Sequence, residues 1–361
     1  MRKVLILGGY GNFGRRITLA LTKKNIAVII AGRNKEKAEK FIATLPGGNV
    51  ESAIFDVYKE LSRQLQLVKP EIVINTCGPF QESNYDVAEI CIEHGVHYID
   101  LADGRNFVNG ISVLDSFAKQ RNVAVISGAS TVPCLSSAVI EKYKNEFSEI
   151  SSLVFGISPG QKAERGLATT QGIMSYVGRP LKPHAGNQKA YGWQDIHLQK
   201  YPELGKRWMA NCDIPDLDLF PANYGIKNIR VSAGLELGFL HIGLWLMSWL
   251  VRLRLPLNLP RYAESLLKIS DWFNRFGTAD GGMHVIIGGK DKQGRVHKRS
   301  WFIIAKNGDG PQIPTIPAII LAEKLAINRL EYRGATSCVG MIILDEYLHE
   351  LKEFNIITKV A

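Results

Sequence analysis

Val4-Leu5-Ile6-Leu7-Gly8-Gly9-Tyr10-Gly11-Asn12-Phe13-Gly14 carries a short apolar run directly into a glycine-rich turn. Glycines 9, 11 and 14 have the spacing G-x-G-x-x-G, and a helical pattern follows over residues 12–24. That spacing is weak by itself; between a strand and a helix it reads as a dinucleotide-binding turn. Gly9 permits the tight turn, Gly11 lets the backbone approach a pyrophosphate, and Gly14 lets helix and strand pack closely. The N–H groups of Asn12 and Phe13 then face the phosphates at the positive end of the helix dipole.

Working outward, short β-branched runs alternate with helical stretches. Strands are expected at 27–31, 50–55, 72–76, 96–99 and 123–126, with helices at 35–45, 59–68, 85–94 and 107–121. Continuous apolar runs joined by helices imply a parallel sheet covered on both faces. Six such strands in about 130 residues fit a Rossmann-type doubly wound α/β domain, with its ligand at the carboxyl ends of the strands.

The second strand bears on cofactor choice. It ends Ala31-Gly32-Arg33-Asn34, with Lys35 and Lys37 just beyond and no Asp or Glu at the place that would accept from a ribose 2′-hydroxyl. Arg33, with Asn34 beside it, suits a 2′-phosphate, which favours NADP(H), with NAD(H) as the alternative. Asp56 either accepts from the adenine amino group or caps the helix after it. In Asn75-Thr76-Cys77-Gly78-Pro79-Phe80, Gly78 and Pro79 end the fourth strand and bend the chain over the ribose and nicotinamide. Cys77, with no base near it in sequence, reads as a small residue lining the cofactor and not as a nucleophile.

Length and composition set the frame. At 361 residues the chain exceeds one ordinary core, and 46% apolar with 22% charged residues excludes wholesale disorder. The net charge of +10 is spread without a Lys/Arg block, so nucleic acid is not expected as a partner. Five scattered cysteines, never C-x-x-C, point to reduced thiols in a cytoplasmic setting and away from a cysteine-built metal site. The apolar run near the N-terminus is too short for a secretory h-region.

Further stretches now carry a resemblance. The phosphate turn, Asn75–Phe80 as a block, Gly95-Val96-His97-Tyr98-Ile99-Asp100-Leu101 and Gly128-Ala129-Ser130-Thr131-Val132-Pro133 together resemble the saccharopine dehydrogenase-like NAD(P)-binding family. Trp301 through Ala305, Gly308-Asp309-Gly310-Pro311 and the Pro317-Ala318 to Leu321-Ala322 stretch are similar to its C-terminal part. The likeness covers most of the first 135 residues and the remainder in patches. It implies a Rossmann domain at 1–132, an α+β substrate and dimerisation domain at 133–311, and helices within 312–361 that return to the first domain. It also implies hydride transfer in an interdomain cleft to a small C=N, C=O or C=C substrate. The chain departs from the commoner ending Asp-x-x-Gly-Glu, reading Asp100-Leu101-Ala102-Asp103-Gly104-Arg105 with glycine at the glutamate position.

His97, Asp100, Asp103 and Arg105 are expected to gather near the end of the fifth strand. Asp103 and Arg105 are the catalytic candidates, able to orient or charge-balance a polar substrate or to pair with each other. The spacing of His97, Asp100 and Asp103 lacks the usual metal-ligand pattern, and no metal is expected. Ser130, Ser136 and Ser137 lack a nucleophile elbow. His284 and His297 fall in two runs, 283–288 and 296–305, that read as a hairpin, and are expected as core or edge residues. Arg165, Thr169, Thr170 and Gln171 lie in a Gly-rich polar stretch, 160–172, suited to a substrate loop.

Residues 237–251 are apolar except for His241 and Ser248, and Arg252 and Arg254 follow. As a helix they span about 22 Å, short of the roughly 30 Å hydrocarbon core. The segment reads first as a buried helix or homodimer contact and second as a peripheral membrane or lipid contact, since Trp245 and Trp249 with trailing arginines suit an interface. Two rival functions stay open: a non-catalytic dinucleotide-binding redox sensor, and, from residues 237–251, a membrane-peripheral enoyl-lipid reductase.

Overall fold

Val4–Leu7, four apolar residues buried without exception, form β1 and set the pattern of the first sheet. The computed structural model describes residues 2–45, 47 and 49–361. After β1 come α1 (Asn12–Lys23), β2 (Val28–Gly32), α2 (Lys35–Ala43), β3 (Val50–Ile54), α3 (Val57–Val68), β4 (Ile72–Asn75), α4 (Asp86–Glu93) and β5 (His97–Asp100). The chain continues through α5 (Arg105–Gly110), α6 (Asp115–Gln120), β6 (Ala124–Ser127), α7 (Ser136–Tyr143), β7 (Phe147–Ser158), α8 (Leu167–Tyr176), β8 (His197–Tyr201) and β9 (Gly205–Asn211). Then follow α9 (Asp216–Tyr224), β10 (Asn228–Ala233), α10 (Gly238–Arg252), α11 (Ala263–Asp271), β11 (Gly281–Asp291) and β12 (Val296–Ala305). Last come α12 (Ile316–Ala326), β13 (Gly334–Ser337), α13 (Leu344–Glu350) and β14 (Ile356–Val360). No helix among the described residues is long and apolar enough to cross a membrane.

Two compact units result: one ends at Cys134 and is rejoined by Gln312–Met341, the other holds Leu135–Pro311 and Ile342–Ala361. The first has a seven-stranded sheet in the order β13-β6-β5-β4-β1-β2-β3. All its pairings are parallel, from Val4 beside Val28 and Ile72 to Gly334 beside Ala124. The Rossmann-type fold expected from the sequence is therefore present, with β13 as a seventh strand beside β6. The α12 helix packs on α1, β4 and β5, and Lys24 on the α1 side pairs with Glu323 at 2.7 Å.

The single helix expected over 107–121 is instead broken into α5, a 3-10 turn (Ile111–Leu114) and α6. Beside the break, the Tyr85 phenol donates to the Phe107 carbonyl at 2.7 Å, and a Cβ on Gly110 would stand 2.5 Å from that hydroxyl oxygen.

The second unit is α+β, around a mixed sheet in the order β14-β12-β11-β7-β10-β9-β8. The β11–β12 hairpin forms as expected, with β11 extended to Asp291, whose carboxylate accepts from the N–H groups of Gln293 and Arg295, each at 2.9 Å. His284 is wholly buried there, its Nδ1 2.8 Å from the Tyr201 hydroxyl, and His297 lies 3.0 Å from Glu146.

Burial pushes His284 from its ordinary 6.5 down to about 3. The folded state thus binds the proton less well than the unfolded chain. This stabilising contribution is present above about pH 6.5 and is lost as pH falls towards 3. Asp216, buried and raised to about 7, acts in the opposite sense. The difference between wild type and His284→Gln isolates the histidine: the stability gap should shift by about 2 kcal/mol in favour of the variant between pH 7 and pH 4.5. Parallel stability–pH curves in urea titrations would remove His284 from this account.

Candidate cofactor-binding site

In the first sheet the strand order reverses between β1 and β4, which opens a crevice at their carboxyl ends. The glycine turn lies there. Gly8, with φ of +77°, is the residue that needs the left-handed backbone, and a Cβ on it would stand 2.6 Å from Thr76 Oγ1. Gly9 is required for a different reason than the sequence suggests: a side chain would meet the Ile30 Cβ at 2.6 Å. Gly14 brings α1 so near the turn that a Cβ would run into the Gly8 carbonyl oxygen. Gly11 has only that same oxygen nearby, at 3.1 Å, and otherwise open space. It is the N-cap of α1 and offers no side chain to the N–H groups of the first turn, at Asn12, Phe13 and Gly14. Arg16 reaches back to the Asn12 carbonyl at 2.5 Å and to its side-chain oxygen.

Around this turn stand the ends of the neighbouring strands. Tyr10 lies over Gly32, leaving no space for a Cβ there, and its hydroxyl accepts from the Asn34 N–H at 2.8 Å. Asn34 caps α2 by accepting from the Lys37 N–H at 2.9 Å. Arg33 is exposed and has no hydrogen-bond or ion-pair partner among the described residues. Asp56 caps α3 through one oxygen, accepting from the Tyr58 N–H at 3.1 Å. The cap, one of the two roles open from the sequence, is what the folded chain shows.

After β4, Thr76 donates to the Leu7 carbonyl at 2.7 Å and ties the loop to β1. The Asn75 side chain is buried behind it, donating to the Tyr98 hydroxyl at 3.1 Å and accepting from the Cys77 N–H at 3.0 Å. Both its polar atoms are thus used in shaping the loop. The Gly78–Pro79 peptide is cis. Burial pushes the Cys77 thiol up to about 11, against the opposing charge of Arg33, so it is protonated at neutral pH and no nucleophile.

Beyond β5, Gln81 donates to Asp103 at 3.0 Å, and the chain at Gly104 passes so close to Phe80 that a Cβ would be 2.8 Å from its carbonyl oxygen. Burial holds the Asp103 carboxyl above its ordinary range, opposed by the Gln81 hydrogen bond. Arg105 is buried in the first turn of α5. Asp100 is wholly buried and binds Ala102 N–H, the Ser127 hydroxyl and Gly128 N–H at 2.8–3.0 Å, which joins the ends of β5 and β6. Burial raises its carboxyl to about 6.

His97 does not join this group. It is the first residue of β5, at the opposite end of the strand from Asp100, where Nδ1 accepts from the Ala124 N–H at 2.9 Å. Burial, with Arg333 and Arg2 nearby, lowers it to about 4. Among the described residues no group of three or more His, Cys, Asp or Glu is arranged to hold a metal ion. Ser136 binds Asp216 at 2.5 Å. Of the 160–172 stretch, residues 160–166 lie outside regular structure, with Arg165 tied to Asp271 at 3.0 Å, while α8 starts at Leu167 and Thr170 bonds back to the Gly166 carbonyl at 3.1 Å. Sequence reading missed Gly8, Tyr10 and Gln81; the first adjoins the glycine motif, but the pairings of the other two are set by folding alone.

Residues 4–131 match the family model described as the saccharopine dehydrogenase NADP binding domain. Residues 4–131 are thus similar to an NADP-binding domain of the saccharopine dehydrogenase type. Over its whole length the chain also shares the fold of an apo saccharopine dehydrogenase (L-Glu forming) from Saccharomyces cerevisiae, with 12% identity, a TM-score of 0.65 and 100% of each chain covered. A serine dehydrogenase from Escherichia coli is matched over 35% of this chain and 80% of its own, at 19% identity and a TM-score of 0.28. No curated protein matches the chain by sequence. The saccharopine dehydrogenase-type domain fits NADP(H) on its own observations: a first helical turn without a side-chain cap, bare glycines before it, and an unpaired guanidinium at the end of β2.

Proposed function

We propose that the chain is an NADP(H)-dependent oxidoreductase acting on a small molecule with a C=N, C=O or C=C bond. The observation that carries this reading is the exposed, unpaired Arg33 beside the uncapped turn of a saccharopine dehydrogenase-type NADP-binding domain. Gly9, Gly11, Asn12, Phe13 and Gly14 hold the pyrophosphate through backbone N–H groups and close approach. Arg33 takes the 2′-phosphate, with the Asn34 side-chain amide beside it and Tyr10 keeping that corner in shape. The Asp56 oxygen not used in capping faces the adenine. Cys77, Gly78 and Pro79 border the nicotinamide side, and Asn75 fixes their course from behind. Bound NADP(H) supplies or accepts the hydride.

Asp103 is assigned the proton that balances the hydride, on the heteroatom of a C=N or C=O bond or on the second carbon of a C=C bond, because a buried carboxyl held above its ordinary range can donate as well as accept. Gln81 orients it and Arg105 acts behind it. The five free cysteines agree with a cytoplasmic setting.

The test is NADPH oxidation with a panel of imines, ketones and enoyl lipids. At least one class should turn over, and Asp103→Asn should lower kcat by about 100-fold with NADPH binding unchanged. A loss under about threefold would take the proton-transfer role from Asp103. Tight NADPH binding with no turnover of any class would instead support a dinucleotide-binding redox sensor.

A further inference from the structure

In a helix at the surface of a soluble unit, apolar residues turn inward and polar ones outward. The α10 helix follows this only in part. Its buried face carries His241 and Ser248 beside Leu244: the His241 ring packs 5.2 Å from that of Trp193, and Ser248 accepts from Gln194 at 2.8 Å. Its outward face carries Phe239, Leu246, Trp249 and Leu250. The exposed apolar surface continues past the helix, with Leu253 at 70% exposure, Trp272 after α11 at 75% and Phe276 at 59%. Phe239 meets Phe273 at 5.1 Å, so the start of α10 lies beside the segment that follows α11. Of the buried helix or homodimer contact expected here, full burial does not hold: the core side of α10 is shared by Leu244 with His241 and Ser248, and the opposite side is exposed.

Charge distinguishes the occupant. Between Gly238 and Phe276 stand Arg252, Arg254, Arg261, Lys268 and Arg275, against only Glu264 and Asp271. Both acids are already paired, with Lys268 at 2.8 Å and Arg165 at 3.0 Å. Arg254, Arg261 and Arg275 have no carboxylate partner among the described residues. A two-fold contact would set this surface against itself, positive on positive. A bilayer with anionic headgroups meets both features, since arginines and aromatic rings favour the headgroup level and apolar tips the layer beneath.

We propose that α10, the turn after it and α11 form a face that lies in the headgroup layer of an anionic membrane. Leu253, Trp272 and Phe276 enter the apolar layer, and Arg254, Arg261 and Arg275 contact lipid phosphates. The helices lie in the interface and do not span it. This inference stands apart from the reaction proposed above.

Co-sedimentation of the full chain with vesicles of phosphatidylglycerol and phosphatidylcholine, against phosphatidylcholine alone, tests it. Binding to the anionic vesicles should be at least about tenfold tighter and should weaken in high salt. Leu253→Ser/Trp272→Ser/Phe276→Ser should lower it by about tenfold or more with Tm unchanged, since these side chains are exposed. Tryptophan fluorescence of the wild type should be quenched by brominated lipid. Arg254→Gln/Arg261→Gln/Arg275→Gln should remove the preference for anionic vesicles. Failure to bind either vesicle, or equal binding to both by the wild type, overturns the proposal. So does a wild-type dimer in sedimentation equilibrium that the serine variant splits while vesicles capture nothing, which would make a second copy the occupant.

Discussion

Replacing Arg33 with Asp is expected to weaken NADPH binding by about 100-fold and to change NADH binding by less than about threefold. The size follows from two effects at one position. The guanidinium–phosphate contact is lost, and a carboxylate is placed where the 2′-phosphate must lie. Since Arg33 is exposed and has no partner among the described residues, the change breaks no existing ion pair, and Tm should hold. NADH lacks the 2′-phosphate and is spared both penalties; a carboxylate at the end of β2 can even accept from its 2′-hydroxyl. Calorimetric titration of both cofactors checks this. Equal losses for the two would remove the 2′-phosphate contact from Arg33.

Gly14→Ala is expected to destabilise the first unit by about 3 kcal/mol and to reduce NADPH binding by more than about 100-fold. The new Cβ would run into the Gly8 carbonyl oxygen and come within 2.8 Å of the Gly9 Cα. Those atoms are backbone, so no side chain can yield; α1 must move off β1 and carry its first-turn N–H groups with it. Gly11→Ala makes a useful contrast, because only the Gly8 oxygen, 3.1 Å away, is near. That variant should keep its Tm within a few degrees yet bind NADPH more weakly, since the methyl group occupies the approach of the pyrophosphate. Thermal melts and titrations on the two variants separate packing from ligand space. A Gly14→Ala protein with wild-type Tm would contradict the packing argument.

Much of the first unit was legible because β1, β2, β4, β5 and β6 are buried on both faces. Val4–Leu7, Ile72–Asn75 and Ala124–Ser127 are wholly buried, and that burial requires the unbroken apolar runs seen in the chain. The phosphate turn was legible because its chemistry is local: bare backbone between a strand and a helix. Its internal division of labour was not, since the left-handed residue is Gly8 while Gly9 answers to Ile30 on another strand. The break at Gly110 was hidden for a similar reason: the glycine packs against the hydroxyl of Tyr85, far back in the chain. His97 was expected near Asp100 and Asp103 because it is close in sequence, yet a strand rises about 3.3 Å per residue and puts it at the amino end of β5, away from the carboxyl-end crevice.

Sequence alone determined that residues 1 to about 130 make a parallel, doubly wound sheet with a phosphate turn and no acid at the end of β2. It also determined that residues 237–251 are apolar and too short to span a bilayer. These are properties of neighbouring residues, carried by period and local chemistry. The tertiary structure alone decided that Asn75 shapes the loop after β4, that Gln81 holds Asp103, and that the seventh strand of the first sheet comes from Gly334–Ser337. It alone showed that α10 buries His241, Leu244 and Ser248 and turns Phe239, Leu246, Trp249 and Leu250 outward. The reason is common to all four. Which partner a polar group finds, and which face of an element meets the core, depends on contacts between residues far apart in the chain, and no local pattern encodes them.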